Sequence, residues 1–226
     1  MTRFESSFPR FSRALFVALC VFVAACDDSD DPTSTPIAEA RAQATGTQAT
    51  IEGYVSVQPG AFVSALGDEG FALQDATGGV YVKLEQKQSF NLGARVRVTG
   101  TLDEQNQLRI LKAEPADVEL LSGSKDVSAK DVTTGSVNES VEGQLIKVTG
   151  DVTQTFQDDS PYGYKLYVND GSGEVQVFVH VSADFDASAL QALKLGDTLT
   201  VVGLAAQYET TYEVAPRSPA DLTVSP

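Results

Sequence analysis

The chain contains itself twice, and this constrains its fold more than any other feature. Residues 70–84 (GFALQDATGGVYVKL) have a counterpart in residues 163–179 (GYKLYVNDGSGEVQVFV). Phe90–Gly100 (FNLGARVRVTG) matches Leu193–Gly203 (LKLGDTLTVVG), and Pro115-Ala-Asp-Val118 matches Pro219-Ala-Asp-Leu222. Glu52-Gly53-Tyr-Val-Ser56 matches Thr149-Gly150-Asp-Val-Thr153. The landmarks keep their order, and the second copy is longer only between its third and fourth strands, where it inserts Ser182 to Leu193.

Each copy reads as five short strands. In the first they fall near 50–57, 71–74, 80–84, 95–102 and 108–113. In the second they fall near 144–153, 164–169, 174–181, 198–205 and 211–215. Period-two alternation is clearest where Val175, Val177, Val179 and Val181 share one face and Gln176, Phe178, His180 and Ser182 the other. Asp75-Ala-Thr-Gly-Gly and Asn169-Asp-Gly-Ser-Gly read as hairpin turns whose glycines supply positive φ. Residues 184–193 form the one convincing helix of the second copy, ahead of its fourth strand. Five strands with a helix between the third and fourth is the order of an OB-fold, a small, partly open Greek-key barrel. The expected fold class is all-β: two tandem five-stranded OB barrels over 37–122 and 123–226. Leu121-Ser-Gly-Ser-Lys125 links them, and its composition leaves open whether they pack as a pair.

The pattern G-x-V … F-x-L-Q-D-x-x-G-G-V-x-V … L-G-x-x-V-x-V-x-G resembles bacterial OB-fold domains of the nucleic-acid-binding group, of the kind found beside secreted nucleases. The first copy carries it in Gly53, Phe71, Leu73, Gln74, Asp75, Gly78, Gly79, Val80, Val82, Leu92, Gly93, Val96, Val98 and Gly100. The resemblance implies the fold and, more weakly, a nucleic-acid ligand, because most of these positions build turns and core.

The N-terminus gives an address. Arg3, Arg10 and Arg13 precede an apolar run from Ala14 to Ala25, too short for a comfortable membrane span and suited to a signal peptide over 1–25. Val23-Ala24-Ala25-Cys26 resembles the lipobox of bacterial lipoproteins, which implies acylation of Cys26, a membrane partner through that lipid, and a periplasmic or surface location. Asp27 and Asp28 resemble a signal for inner-membrane retention. Residues 26–36 then form a polar, acidic, Pro-containing tether, expected to be disordered.

Composition narrows the function. Asp and Glu number 31 against 16 Lys and Arg, for a net charge of −15, which opposes general nucleic-acid binding. His180 is the only histidine, so a multi-histidine metal centre is excluded, and no nucleophile motif accompanies it. With Cys20 in the leader and Cys26 acylated, no thiol remains for catalysis. Asp158, Asp159, Asp170 and Glu174 are a remote calcium option; otherwise acidic turn residues serve as turn chemistry. No cofactor and no catalysis are expected.

OB barrels present ligands on strands two and three and the adjoining loops. Alternation assigns Tyr81 and Lys83 to that face in the first copy. In the second it assigns Phe178 and His180, with Lys165 and Tyr167 alongside; Tyr162 and Tyr164 flank the first loop, and Tyr208 and Tyr212 the last. Arg95 and Arg97 alternate on one strand and are the best basic pair of the first copy, or else part of an ordinary solvated face. These aromatics stack on bases or sugars, or else close the barrels and pack them together. The expected function is non-catalytic binding of an envelope protein, peptide or glycan; the alternative is binding of single-stranded nucleic acid.

Overall fold

A computed structural model describes residues 1–2 and 33–225. The segment expected to be a signal peptide, Cys26, Asp27 and the first part of the expected tether lie outside the described residues. Residues 32–226 form one compact unit, and it holds both barrels.

The first barrel is built from β1 (Gln48–Val57), β2 (Phe71–Gln74), β3 (Gly79–Lys83), β4 (Ala94–Gln105) and β5 (Leu108–Lys112). The strands run in the order β1-β2-β3-β5-β4, and β1 closes the ring on β4 from Gln48↔Thr101 to Tyr54↔Arg95. β3 and β5 are parallel through Tyr81↔Ile110. β6 (Val118–Ser124) then adds to the outer edge of β4, so residues of the expected linker lie in a strand.

After a two-residue β7 (Lys130–Asp131), the second barrel repeats the plan with β8 (Leu145–Val152), β10 (Gly163–Asn169), β11 (Glu174–His180), β12 (Thr198–Tyr208) and β13 (Thr211–Ala215). β8 closes on β12, and β11 and β13 are parallel. A short β9 (Gln157–Asp159) hydrogen-bonds to β10, and β14 (Leu222–Ser225) adds to β12 as β6 adds to β4. The fold is two five-stranded barrels, as expected; the expectation of partly open barrels is corrected, because β1–β4 and β8–β12 pairing closes both rings.

Each barrel has its own apolar filling. Ile51, Val55, Phe71, Leu73, Val80, Val82, Val96 and Val98 fill the first. Ile146, Val148, Leu166, Val168, Val175, Val177, Val179, Leu199 and Val201 fill the second. β-branched and large aliphatic side chains at alternate positions suit a half-buried pleat, and each contributes about 1.5–3 kcal/mol on burial.

A preceding segment plugs each barrel. In the first, α1 (Ile37–Arg41) buries Ile37 and Ala40 in the filling. In the second, the stretch after a single 3₁₀ turn buries Val137 and Val141, and α2 (Ala187–Gln191) adds Leu190. The turn aspartates hold these plugs. Asp75 Oδ2 accepts from the Ile37 N–H at 2.9 Å, and Asp170 Oδ2 accepts from the Thr134 N–H at 3.1 Å. Burial works to raise the Asp75 pKa, but the hydrogen bonds from Ile37, Thr77 and Gly78 outweigh it and hold the carboxyl below its ordinary range.

The two hairpin turns differ in their use of glycine. Gly171 (φ 97°) and Gly173 (φ 151°) have the expected positive φ, whereas Gly78 and Gly79 do not. Gly79 is needed for close approach instead: a Cβ there would lie 2.1 Å from the carbonyl oxygen of Gly143. Gly143 meets it from the other side with φ 79°.

Candidate ligand-binding face

The outward sides of strands two and three meet different fates in the two barrels. In the first, Ala72, Tyr81, Leu108 and Ile110 form one buried cluster with Val57, with Ala61 and Phe62 of the β1–β2 loop, and with Leu204, Ala206 and Ala215 of the second barrel. The face on which a ligand is expected is therefore closed by protein. Tyr81 is 0% exposed, and its hydroxyl donates to the Phe62 carbonyl at 2.8 Å. Burial, and then the negative Asp68, push its phenol well above the ordinary range.

The loop that helps cover this face is stapled by Asp68. That buried carboxylate accepts from Ser64 N (2.9 Å), Ser64 Oγ (2.7 Å), Gly70 N (2.9 Å) and Leu84 N (3.3 Å). Further bonds join the barrels: Leu145 N to Gln74 Oε1 (2.8 Å), Arg109 N to Glu142 Oε1 (3.0 Å), Arg217 Nη1 to the Ser56 carbonyl (2.9 Å) and Glu209 N to the Asn106 carbonyl (2.7 Å). Arg41 completes the seam with an ion pair to Glu142 at 3.0 Å.

The corresponding face of the second barrel is only partly covered. Tyr167 and Lys165 stand on β10 opposite Gln176 and Phe178 of β11, and Gln176 stands opposite Glu213 of β13. The Tyr167 hydroxyl donates to Gln176 Oε1 at 3.1 Å, and Gln176 Nε2 donates to Glu213 Oε2 at 2.8 Å. Lys165 Nζ is held by Asp159 at 2.9 Å. Burial pushes the Glu213 carboxyl up to about 7, against the pull of Gln176 and Lys165. Tyr167 and Phe178 are half-buried; Tyr162 and Tyr208 are exposed.

His180 closes one end of this face. It is 8% exposed and lies in a row of rings: Tyr81 to Phe62 at 5.3 Å, Phe62 to His180 at 6.3 Å and His180 to Phe178 at 6.2 Å. Its Nδ1 accepts from Ser182 N at 3.1 Å and lies 2.6 Å from Ser182 Oγ, which in turn bonds the Ala61 carbonyl at 3.0 Å. Burial lowers its pKa. Among the described residues no carboxylate bonds the other ring nitrogen, so the pair lacks the orienting acid of a nucleophilic triad.

The structure thus brings together Lys165, Tyr167, Phe178 and His180 and separates them from the other predicted site residues. Tyr81 is sealed under the second barrel, and Lys83 is bonded to Gln105 at 2.8 Å. Tyr164 turns inward, with its ring 5.3 Å from Phe156. Arg95 and Arg97 lie on β4, where both pair with Glu52 of β1. The four acids of the calcium option each serve their own donors: Asp158 binds Ser160, Asp159 binds Lys165, Asp170 binds Ser172 and Thr134, and Glu174 binds Thr153 and Gln154. Among the described residues no group of three metal-ligating side chains occurs. The sequence pattern missed Gln176 and Glu213; that they occupy the same outward register as Tyr167 was the available signal.

No family model matches the chain. It is similar to Endonuclease YhcR of Bacillus subtilis (strain 168), with 24% identity over 207 residues that cover 85% of this chain and 16% of the relative. The chain therefore spans well under a quarter of that protein's length. Among solved structures it is similar to a murine DNA-binding protein bound with double-stranded DNA, at 11% identity and a TM-score of 0.40 over 77% of this chain and 96% of that one. It is also similar to the Ifi202 HINa domain in complex with 20-bp double-stranded DNA, at 12% identity and a TM-score of 0.39 over 80% and 96%. At these scores the structural likeness bears on neither fold nor ligand.

Proposed function

We propose that this protein is a non-catalytic nucleic-acid-binding module, which holds single strands on the β10–β11 face and is kept at the cell envelope by a lipid on Cys26. The observation that carries this reading is the contrast between the two faces: one is sealed, and the other presents Tyr167 and Phe178 on adjacent strands beside Lys165. They occupy diagonal register positions, about 7–8 Å apart, within reach of successive bases. The match of 85% of the chain to part of an endonuclease supports a nucleic-acid partner.

The electrostatics define what kind of binding this is. The one lysine on the face is engaged by Asp159, so few phosphates are neutralised and stacking supplies most of the affinity. The test is a titration of the full chain, in detergent, with a labelled single-stranded oligonucleotide. Saturable binding with a salt slope no steeper than about −1 is expected, because roughly one phosphate contact is available. Phe178→Ala is expected to weaken binding by about fivefold or more, the loss of one stacked base. Absence of binding at low salt sinks the reading.

A second reading, an envelope protein, peptide or glycan as partner, draws on the net charge of −15 and on Asp159 and Glu213 at the face. It takes over if oligonucleotides fail. The address has its own check: Cys26→Ala is expected to abolish incorporation of labelled fatty acid.

A further inference from the structure

The duplication allows each position of one barrel to be compared with its counterpart in the other. Val80-Tyr81-Val82 corresponds to Val175-Gln176-Val177, five residues after the turn aspartate in each copy. Cross-strand register extends the match. In the first barrel Ala72 stands opposite Tyr81 and Tyr81 opposite Ile110. In the second, Tyr167 stands opposite Gln176 and Gln176 opposite Glu213. One barrel therefore carries the row Ala72–Tyr81–Ile110, buried in an apolar cluster, where the other carries the hydrogen-bonded row Tyr167–Gln176–Glu213.

This fold does not require a carboxylate at the third position, since Ile110 serves there. Burying one without a cation is costly, and among the described residues Glu213 forms no ion pair: Lys165, whose charge acts on it, pairs with Asp159. The polar row stands on the face that the fold leaves partly open, whereas the apolar row stands on the face it seals.

We propose that Glu213 is a proton-operated gate of the β10–β11 face, setting both the charge beneath it and the direction of the hydrogen-bond chain that ends at the Tyr167 hydroxyl. This rests on that face being the nucleic-acid site proposed above. With Glu213 ionised, Gln176 must turn its NH₂ to the carboxylate and its oxygen to Tyr167, so the Tyr167 O–H points inward and only its lone pairs face a ligand. When Glu213 takes a proton from solvent, its O–H donates to the Gln176 oxygen. The amide turns over, its NH₂ donates to the Tyr167 oxygen, and the Tyr167 O–H is released outward as a donor. Both changes favour an anionic ligand: a buried negative charge disappears, and a donor for a phosphate oxygen appears.

Glu213 is faced by groups from several strands. β10 contributes Lys165 and Tyr167, β9 contributes Asp159, and β11 contributes Gln176 and, at the end of the face, His180, whose pKa burial lowers. From β12, Ala206 stands opposite Glu213, with Leu204 and Tyr208 two positions to either side on the same strand. The carboxyl, raised to about 7, changes charge across neutrality.

The test uses the isotopically labelled full chain in detergent and a single-stranded oligonucleotide of about twelve nucleotides. In the wild type, the Gln176 side-chain amide and Tyr167 ring resonances are expected to shift together with one inflection near neutral pH. Oligonucleotide affinity is expected to fall about tenfold from pH 6 to pH 8, following the protonated fraction. Glu213→Gln, neutral at every pH, is expected to lose the inflection and hold the pH 6 affinity throughout. Tyr167→Phe keeps the charge change but loses the terminal donor, so its pH dependence is expected to shrink. The proposal is overturned by a Gln176 amide with no inflection between about pH 5.5 and 8.5, or by an affinity profile that Glu213→Gln leaves unchanged. If the inflection is present and Glu213-dependent while no oligonucleotide binds at any pH, the gate stands and the nucleic-acid reading falls.

Discussion

Two adjacent glycines give the seam between the barrels a sharp test. Gly78 and Gly79 lie side by side in the β2–β3 turn, and neither has a left-handed φ, so propensity alone predicts the same result for both on replacement by Ala. The packing predicts otherwise. A Cβ on Gly78 would meet nothing closer than Ala38 at 3.7 Å, an ordinary contact. A Cβ on Gly79 would lie 2.1 Å from the Gly143 carbonyl oxygen and 2.9 Å from the Gln144 Cα, both backbone atoms that cannot rotate away. Relief requires the two chains to separate by about 1 Å or more, as forced overpacking does at a cost of about 1–3 kcal/mol. Separation also stretches the Leu145 N–H bond to Gln74, 2.8 Å long; losing a partly buried hydrogen bond adds about 1–2 kcal/mol. Gly79→Ala is therefore expected to lose about 2–5 kcal/mol in urea unfolding, and Gly78→Ala to stay within about 0.5 kcal/mol of wild type or gain slightly from a less flexible unfolded chain. Equal unfolding free energies for the two variants would refute the view that backbone contact at Gly79 and Gly143 sets the spacing of the barrels.

Other outcomes follow from the buried polar groups. The Glu213 pKa, about 7, stands above its ordinary 4.5, so its favourable contribution is full below 4.5 and is lost as pH rises through 7, a change of about 3 kcal/mol; Glu213→Gln is expected to remove that part of the slope in urea unfolding measured across the interval, and parallel curves for the two proteins would refute it. Asp68→Ala strands the N–H groups of Ser64, Gly70 and Leu84 and is expected to cost about 3 kcal/mol, with faster hydrogen exchange at those amides. Tyr81→Phe leaves the Phe62 carbonyl without its donor and is expected to cost about 1–2 kcal/mol in the same unfolding assay.

The barrels were legible because their evidence is local and repeated. Alternating valines from Val175 to Val179 and the paired turn aspartates fix strands two and three, and β2 falls at Phe71–Gln74 and β13 at Thr211–Ala215 as read from the sequence. The edge strands β6 and β14 were not legible: Val118–Ser124 and Leu222–Ser225 are mostly exposed, so no burial pattern marks them, and only pairing with β4 and β12 makes them strands. The helix expected over 184–193 contracts to Ala187–Gln191, starting where Asp186 caps the Ser188 N–H. The site was half legible. Alternation put Tyr81 and Phe178 on outward faces, and both are there. Which outward face stays open depends on Leu204, Ala206 and Ala215, whose apolar side chains look in sequence like ordinary core and in the structure seat one barrel on the other.

The sealed face of the first barrel has a consequence for stoichiometry. Tandem recognition modules gain avidity when each engages the same chain, because the second contact then occurs at high effective concentration. Here the duplicated surface is spent on the partner barrel through Tyr81, Ile110, Leu204 and Ala206. If the β10–β11 face binds as proposed, the pair is accordingly monovalent on these faces. Under the proposed function a long polymer would gain nothing over a short one that fills the β10–β11 face.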